Sequence, residues 1–233
     1  MKRFLFVISL VALPFTTKAD TYSVSNEFYL GFGAGIISPN DVEIDVAAGT
    51  YDGVTFSDGI TGEYVFDNGF QLTGLLGYRF NDYLSFETEL GYSKFDYDKL
   101  NLTVGGTATS GGVTFTGGVG SFDIDGSISA FSMIFGPAFD FDVYENLELL
   151  IGGGIGFTSY NDEIKSVGAS TGLSIDEDNT EFSAKFKTGA NYSFTEQTYL
   201  QANYGFNFID SGIDNYTDDF TAHSFDAKLV FNF

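Results

Sequence analysis

Along most of this chain, apolar side chains recur at every second position. From Glu27 to Ile36, Phe28, Leu30, Phe32, Ala34 and Ile36 fall on one face. Tyr29, Gly31, Gly33 and Gly35 fall on the other. Helical spacing scatters both sets, whereas strict alternation marks a strand. The same period governs segments 70–80, 83–92, 127–141, 147–157, 182–194, 198–208 and 224–233. In 147–157, for example, Leu147, Leu149, Ile151, Ile155 and Phe157 oppose Glu148, Gly152, Gly154 and Gly156. The expectation is an all-β chain of eight strands.

The links between these segments alternate in length. Links 81–82, 142–146 and 195–197 are tight, and links 37–69, 98–126, 158–181 and 209–223 are long. A soluble sandwich has no reason to alternate them. An outer-membrane barrel does: its apolar face meets lipid, its other face a polar lumen, its periplasmic turns are short and its outer loops long. An even strand count also leaves both termini on the periplasmic side. Aromatics gather at both ends. Tyr78, Phe80, Tyr83, Phe139, Phe141, Tyr192, Phe194, Tyr199, Phe231 and Phe233 lie beside the short turns, and Tyr92, Phe157, Phe182, Phe208 and Phe225 toward the long loops. Two interfacial belts are expected of such a barrel. Pro137 falls inside a strand and removes a ladder donor, so a bulge or local kink is expected there.

The first residues read as an address. Met1-Lys2-Arg3 is basic, Phe4 to Leu13 is an apolar run too short to span a bilayer, Pro14 breaks it, and Ala19 is a small residue suited to cleavage. Residues 1–19 are therefore expected to be a signal peptide and 20–233 the barrel, placed in the bacterial outer membrane. No later apolar run is long enough for a spanning helix. The chain has no Cys, which excludes a disulfide scaffold, a zinc-thiolate site and a cysteine nucleophile. With 32 acidic against 10 basic residues, its net charge of −22 argues against nucleic acid as a partner.

Three stretches carry a likeness to a known family. They are Phe28-Tyr-Leu-Gly-Phe-Gly-Ala-Gly35, Gly77-Tyr-Arg-Phe-Asn-Asp-Tyr-Leu-Ser-Phe-Glu87 and Phe225-Asp-Ala-Lys-Leu-Val-Phe-Asn-Phe233. In this order they resemble the small eight-stranded outer-membrane β-barrels, typified by the OmpA transmembrane domain and the opacity-type surface antigens. The resemblance implies an antiparallel up-and-down barrel among outer-membrane lipid and lipopolysaccharide. It also implies that Leu229, Phe231 and Phe233 form the signal presented to the barrel-assembly machinery. The expectation is that the chain ends with the barrel, with no peptidoglycan-binding domain after it. The loops match no family.

The face turned from lipid carries Arg79, Lys185, Lys187 and Lys228, with Glu27, Glu87, Glu89, Asp140, Glu148 and Asp226. Counted from the short turns, Glu87, Glu89, Lys187, Asp226 and Lys228 share a middle layer. Buried charges must pair. The network of Arg79, Glu87, Glu89, Lys185, Lys187, Asp226 and Lys228 is read as a plug, because eight strands enclose a bore just wide enough for side chains. The alternative is a narrow, charge-gated path for ions or small solutes.

The long connections are strongly acidic. The first carries Asp41, Glu43, Asp45, Asp52, Asp58, Glu63 and Asp67, and the fourth Asp210, Asp214, Asp218 and Asp219. Asp123-Ile-Asp125 and Asp176-Glu-Asp178 offer oxygen ligands, but neither completes a calcium loop. A solvated, self-repelling surface is the simpler reading, so no metal or cofactor is expected. Alternation in Val42-Glu-Ile-Asp-Val46 and Val113-Thr-Phe-Thr116 suggests strands continuing above the membrane. The single histidine, His223, has the lipid-facing parity and adjoins Ser224, so the two point to opposite faces and form no dyad. The expected role is structural or surface-exposed rather than enzymatic, with acidic loops available to a host surface or other extracellular ligand.

Overall fold

The computed structural model describes residues 27–51, 53–168, 175–210 and 219–233. The expected signal peptide, and Asp52, Asp214 and Asp218 of the acidic connections, lie outside the described residues. Eight antiparallel strands close a ring. In chain order they are β1 (Glu27–Pro39), β6 (Gly69–Asn81), β7 (Leu84–Val104), β10 (Val119–Tyr144), β11 (Leu147–Val167), β12 (Ile175–Thr195), β13 (Thr198–Ile209) and β14 (Phe220–Asn232). Around the ring each pairs with the next. β14 pairs with β1 at the join of the ends, and β7 pairs with β10. Each of the segments that alternate in the sequence is one of these strands.

The period-two pattern sorts the faces. Phe32, Leu76, Phe131, Ile155, Phe186 and Phe225 are exposed on the outside, where lipid covers them. Their neighbours Gln71, Ser85, Lys187, Asn203 and Lys228 are buried inside. The short turns follow from local chemistry. Asn81 Oδ1 accepts the backbone N–H of Tyr83 at 3.1 Å and of Leu84 at 2.9 Å, closing the β6–β7 link. Thr195 Oγ1 accepts the N–H of Gln197 at 3.2 Å and closes the β12–β13 link.

Pro137 sits differently from the expectation. No bulge forms, and the register of β10 against β7 runs unbroken through Pro137↔Phe86. Against β11 the pairing lapses between Phe135↔Ile155 and Ala138↔Gly152, then resumes in the same register. Across the lapse stand Gly153 and Gly154, so the missing donor is absorbed by bare backbone without an extra residue. The register shifts of β10 lie elsewhere, at Asp125/Gly126 and Asp142/Tyr144 against β11 and between Asp123 and Ser127 against β7.

The strands are of two lengths. β1, β6 and β14 have 13 residues and β13 has 12, whereas β7, β11 and β12 have 21 and β10 has 26. Crossing a bilayer takes about 9–11 tilted residues, so the long strands stand well above the outer surface. Two further strands widen this wall. β5 (Ile60–Phe66) pairs with the upper part of β7, and β2 (Val42–Val46) pairs with β5. At its top, β3 (Gly49–Tyr51), β4 (Val54–Phe56), β8 (Thr107–Ser110) and β9 (Val113–Thr116) form a second sheet that joins the first outer connection to the second.

The interior is layered, and its upper part is less polar than expected. Near the short turns Tyr29, Leu75, Tyr199 and Val230 form a small apolar core, so Tyr199 points inward and is not part of the expected belt. The charged layer follows. Above it the inner face turns apolar, with Ile37, Phe95 and Ala222 in one cluster and Tyr97, Leu100, Ile124 and Ile164 in another. The reason is the change of solvent. Above the bilayer the outside of the wall faces water, so the dry side becomes the inside, and Asp96, Asp123 and Lys165 turn outward.

Candidate functional site: a charged layer across the barrel

Three strands spaced around the ring supply the charges. β7 carries Glu87 and Glu89, β12 carries Lys185 and Lys187, and β14 carries Asp226 and Lys228. Alternation turns all six inward, and the tight turns set them at a common height. Lys185 Nζ meets Glu89 Oε1 at 2.5 Å. Lys187 Nζ bonds Glu87 Oε2 and lies 3.6 Å from Glu89 Oε2. Lys228 Nζ bonds Asp226 and lies 3.3 Å from Glu89 Oε2. Glu89 is thus the hub, faced by all three ammonium groups. Three cations meet three carboxylates, so the layer carries no net charge.

Neutral partners complete it. Tyr29 Oη donates to Glu87 Oε1 at 2.8 Å, Gln71 Nε2 to Asp226 Oδ2 at 3.3 Å and Asn203 Nδ2 to Asp226 Oδ1 at 3.2 Å. Asn203 Nδ2 also reaches Gln201 Oε1 at 3.2 Å. Lys228 is wholly buried. Ions so desolvated are tolerated because each finds opposite charge and hydrogen bonds. Inner-face glycines make room for the long side chains. A methyl at Gly33 would overlap the Lys228 stem, and one at Gly205 would stand 2.8 Å from Lys185 Cε.

Arg79 lies apart from this layer. It sits near the short turns, with its Nη2 3.9 Å from Asp140 Oδ2 and its guanidinium 5.8 Å from the centre of the Tyr29 ring. Asn191 Nδ2 donates there to Asp140 Oδ1 at 2.9 Å and to Glu148 Oε2 at 3.4 Å. Lys185, by contrast, belongs to the central layer although its Cα stands higher on β12. The amide and phenol partners Tyr29, Gln71, Gln201 and Asn203 are site members that a reading of formal charges passes over. Their signal was available, since each is a hydrogen-bonding residue on the inward parity.

The remaining candidates lie on the outside or the rim. Leu229, Phe231 and Phe233 are exposed on the outer face at the periplasmic end, where Phe233 N donates to Phe28 O at 2.9 Å. His223 packs against Phe206 and has its Nδ1 2.7 Å from Tyr204 Oη. Ser224 points inward and donates to Gly205 O at 3.5 Å. Among the described residues no three His, Asp or Glu side chains converge as a metal site.

The model of the outer membrane protein beta-barrel domain family matches residues 5–233. No curated protein matches the chain. Among solved structures, the outer membrane protein OprG from Pseudomonas aeruginosa is similar at a TM-score of 0.51 and 14% identity, over 90% of this chain and 96% of that one. Neisserial surface protein A (NspA) gives 0.49 and 16%, over 88% and 97%. Ail, the attachment invasion locus protein of Yersinia pestis, gives 0.42 and 15%, over 89% and 99%.

Proposed function

This chain belongs to the outer membrane protein beta-barrel domain family, and from that premise we propose that it is a sealed barrel that holds an acidic surface for contact outside the cell. Membership places it in the bacterial outer membrane, and lipid and lipopolysaccharide are the surroundings proposed for it. The observation that carries the reading is the contrast between bore and wall. The bore is crossed by side chains that pair with one another, whereas β7, β10, β11 and β12 run on above the membrane. There they display Asp96, Asp98, Asp123, Asp125 and Glu163. Two of the three lysines on this wall are answered within it. Lys99 Nζ lies 2.9 Å from Asp98 and Lys165 Nζ 3.5 Å from Glu163. The field left over is negative and favours a cationic surface or patch as partner. On this reading the charged layer is a structural plug, Leu229, Phe231 and Phe233 address the chain to the assembly machinery, and the barrel is not an enzyme.

The test is adhesion of bacteria displaying the full chain to epithelial cells, compared with a variant carrying Asp96→Asn, Asp98→Asn, Asp123→Asn, Asp125→Asn and Glu163→Gln. The substitutions remove the carboxylates of the wall and leave the eight ring strands. Lost adhesion with an unchanged mobility shift between unheated and boiled samples is expected. Adhesion that survives the substitutions overturns the reading.

A further inference from the structure

Between the charged layer and the outer mouth the bore widens into a cavity of about 130 Å³. Its walls are apolar, with Phe66, Phe95, Ile128 and Ile134 among them. Its floor is Lys185 and Glu89, which are already paired with each other. Just above that floor stand two hydroxyls. Thr73 lies on β6 opposite Gly91, two residues outward of Glu89, and Ser183 lies two residues outward of Lys185 on β12. Both line the cavity, at 6% and 2% exposure. Neither Thr73 Oγ1 nor Ser183 Oγ has a hydrogen-bond partner within the described structure. Buried polar atoms are rarely left in that state, because the loss on desolvation is not recovered.

We propose that this cavity is a binding site for a small neutral molecule with an apolar body and a hydroxyl head, such as an aryl alcohol. The head meets Thr73 on one wall or Ser183 on the facing wall, and the body lies among Phe95, Ile128 and Ile134. The size fits, since an engineered apolar cavity of about 150 Å³ takes up benzene. The floor's charges are balanced, and the Asp162 carboxylate on the wall, which accepts from Tyr97 Oη at 2.9 Å, repels an anion. A neutral guest brings no charge to be buried there. The hydroxyl follows from the two orphaned groups, which an entirely apolar guest would leave unmet. The site does not depend on the surface-contact reading, because it lies inside the wall and the upper sheet is no part of it.

The experiment uses the mature chain 20–233 refolded in nanodiscs of deuterated lipid. 4-Fluorobenzyl alcohol and 4-fluorotoluene are titrated while the Ile128 and Ile134 methyl resonances are followed. Saturable shifts are expected with the alcohol. The Thr73→Val/Ser183→Ala variant is expected to bind the alcohol about tenfold more weakly, with 4-fluorotoluene unchanged. Ala130→Phe fills the cavity and is expected to abolish both; Ser132→Leu is the milder filling variant should Ala130→Phe fail to show the folded mobility. A linear response that persists in the filled variant is partition into lipid and overturns the proposal. So does equal binding of the alcohol to the native and the hydroxyl-free barrel, which leaves Thr73 and Ser183 to water.

Discussion

Tyr29 on β1 and Gly77 on β6 face each other in register, and the Tyr29 ring fills the space that a side chain at position 77 would need. The ring is held there from the other end by the hydrogen bond from its hydroxyl to Glu87 Oε1. The glycine therefore aims a phenol at the charged layer. Gly77→Ala forces the ring aside and is expected to destabilise the barrel by about 1–3 kcal/mol in urea unfolding from lipid vesicles. Tyr29→Phe removes a bond to a charged group and is expected to lower stability by about 1.5–3 kcal/mol. Since both act on one contact, the double variant should fall well short of the sum. Additive losses would show that ring and glycine act separately.

Lys228 has no exposed surface and serves two carboxylates, Asp226 and Glu89. Lys228→Met leaves an excess of buried negative charge and is expected to lose about 3–5 kcal/mol. Lys228→Met with Asp226→Leu removes a pair of opposite charges, keeps the layer neutral, and should recover most of that loss. Stability is read by urea titration with the folded gel mobility as the end point. A double variant no better than the single one would mean that packing, not charge balance, sets the value of Lys228.

The ring was legible in the sequence for a physical reason. Lipid outside and buried polar groups inside impose opposite demands on successive residues, and the tight turns pin the heights. Counting from Tyr83 and Phe194 is enough to bring Glu87 and Lys187 together. Counting places Cα atoms rather than side-chain ends, so it misses Lys185, whose flexible stem reaches down to Glu89. The raised wall was harder to read because its rule inverts. At Phe95 and Tyr97 the alternation continues, but the apolar set moves to the inner face as the outside changes from lipid to water. A search for lipid-facing apolar residues stops at Tyr92, where that inversion begins. Pro137 misled because the answer lay on another strand, in Gly153 and Gly154.

The closed layer makes a prediction about conduction. Residues 20–233, refolded in a planar bilayer, are expected to be electrically silent. Shortening three of the crossing side chains in one variant, Glu89→Ala/Lys185→Ala/Lys187→Ala, takes two cations and one anion from the layer. This is expected to open a path with discrete steps, provided the folded mobility is retained. Steps in the native chain would instead favour the channel reading, and their dependence on Lys228 and Glu89 would then locate the gate.

Phe233 separates assembly from stability. Its ring is 72% exposed on the outer face, so it contributes little to the barrel's own packing, while its backbone N–H closes β14 onto Phe28. Phe233→Ser keeps that backbone bond. If Leu229, Phe231 and Phe233 are read by the assembly machinery, the variant should refold from urea into vesicles with nearly native stability, within about 0.5 kcal/mol as for other surface changes. In cells the same variant should accumulate several-fold less folded protein in the outer membrane, as measured by the fraction that shows the unheated mobility. Phe231→Ser, on the same face, should behave alike. Equal losses in the vesicle and in the cell would assign the aromatic end to ordinary strand packing and leave the assembly signal elsewhere.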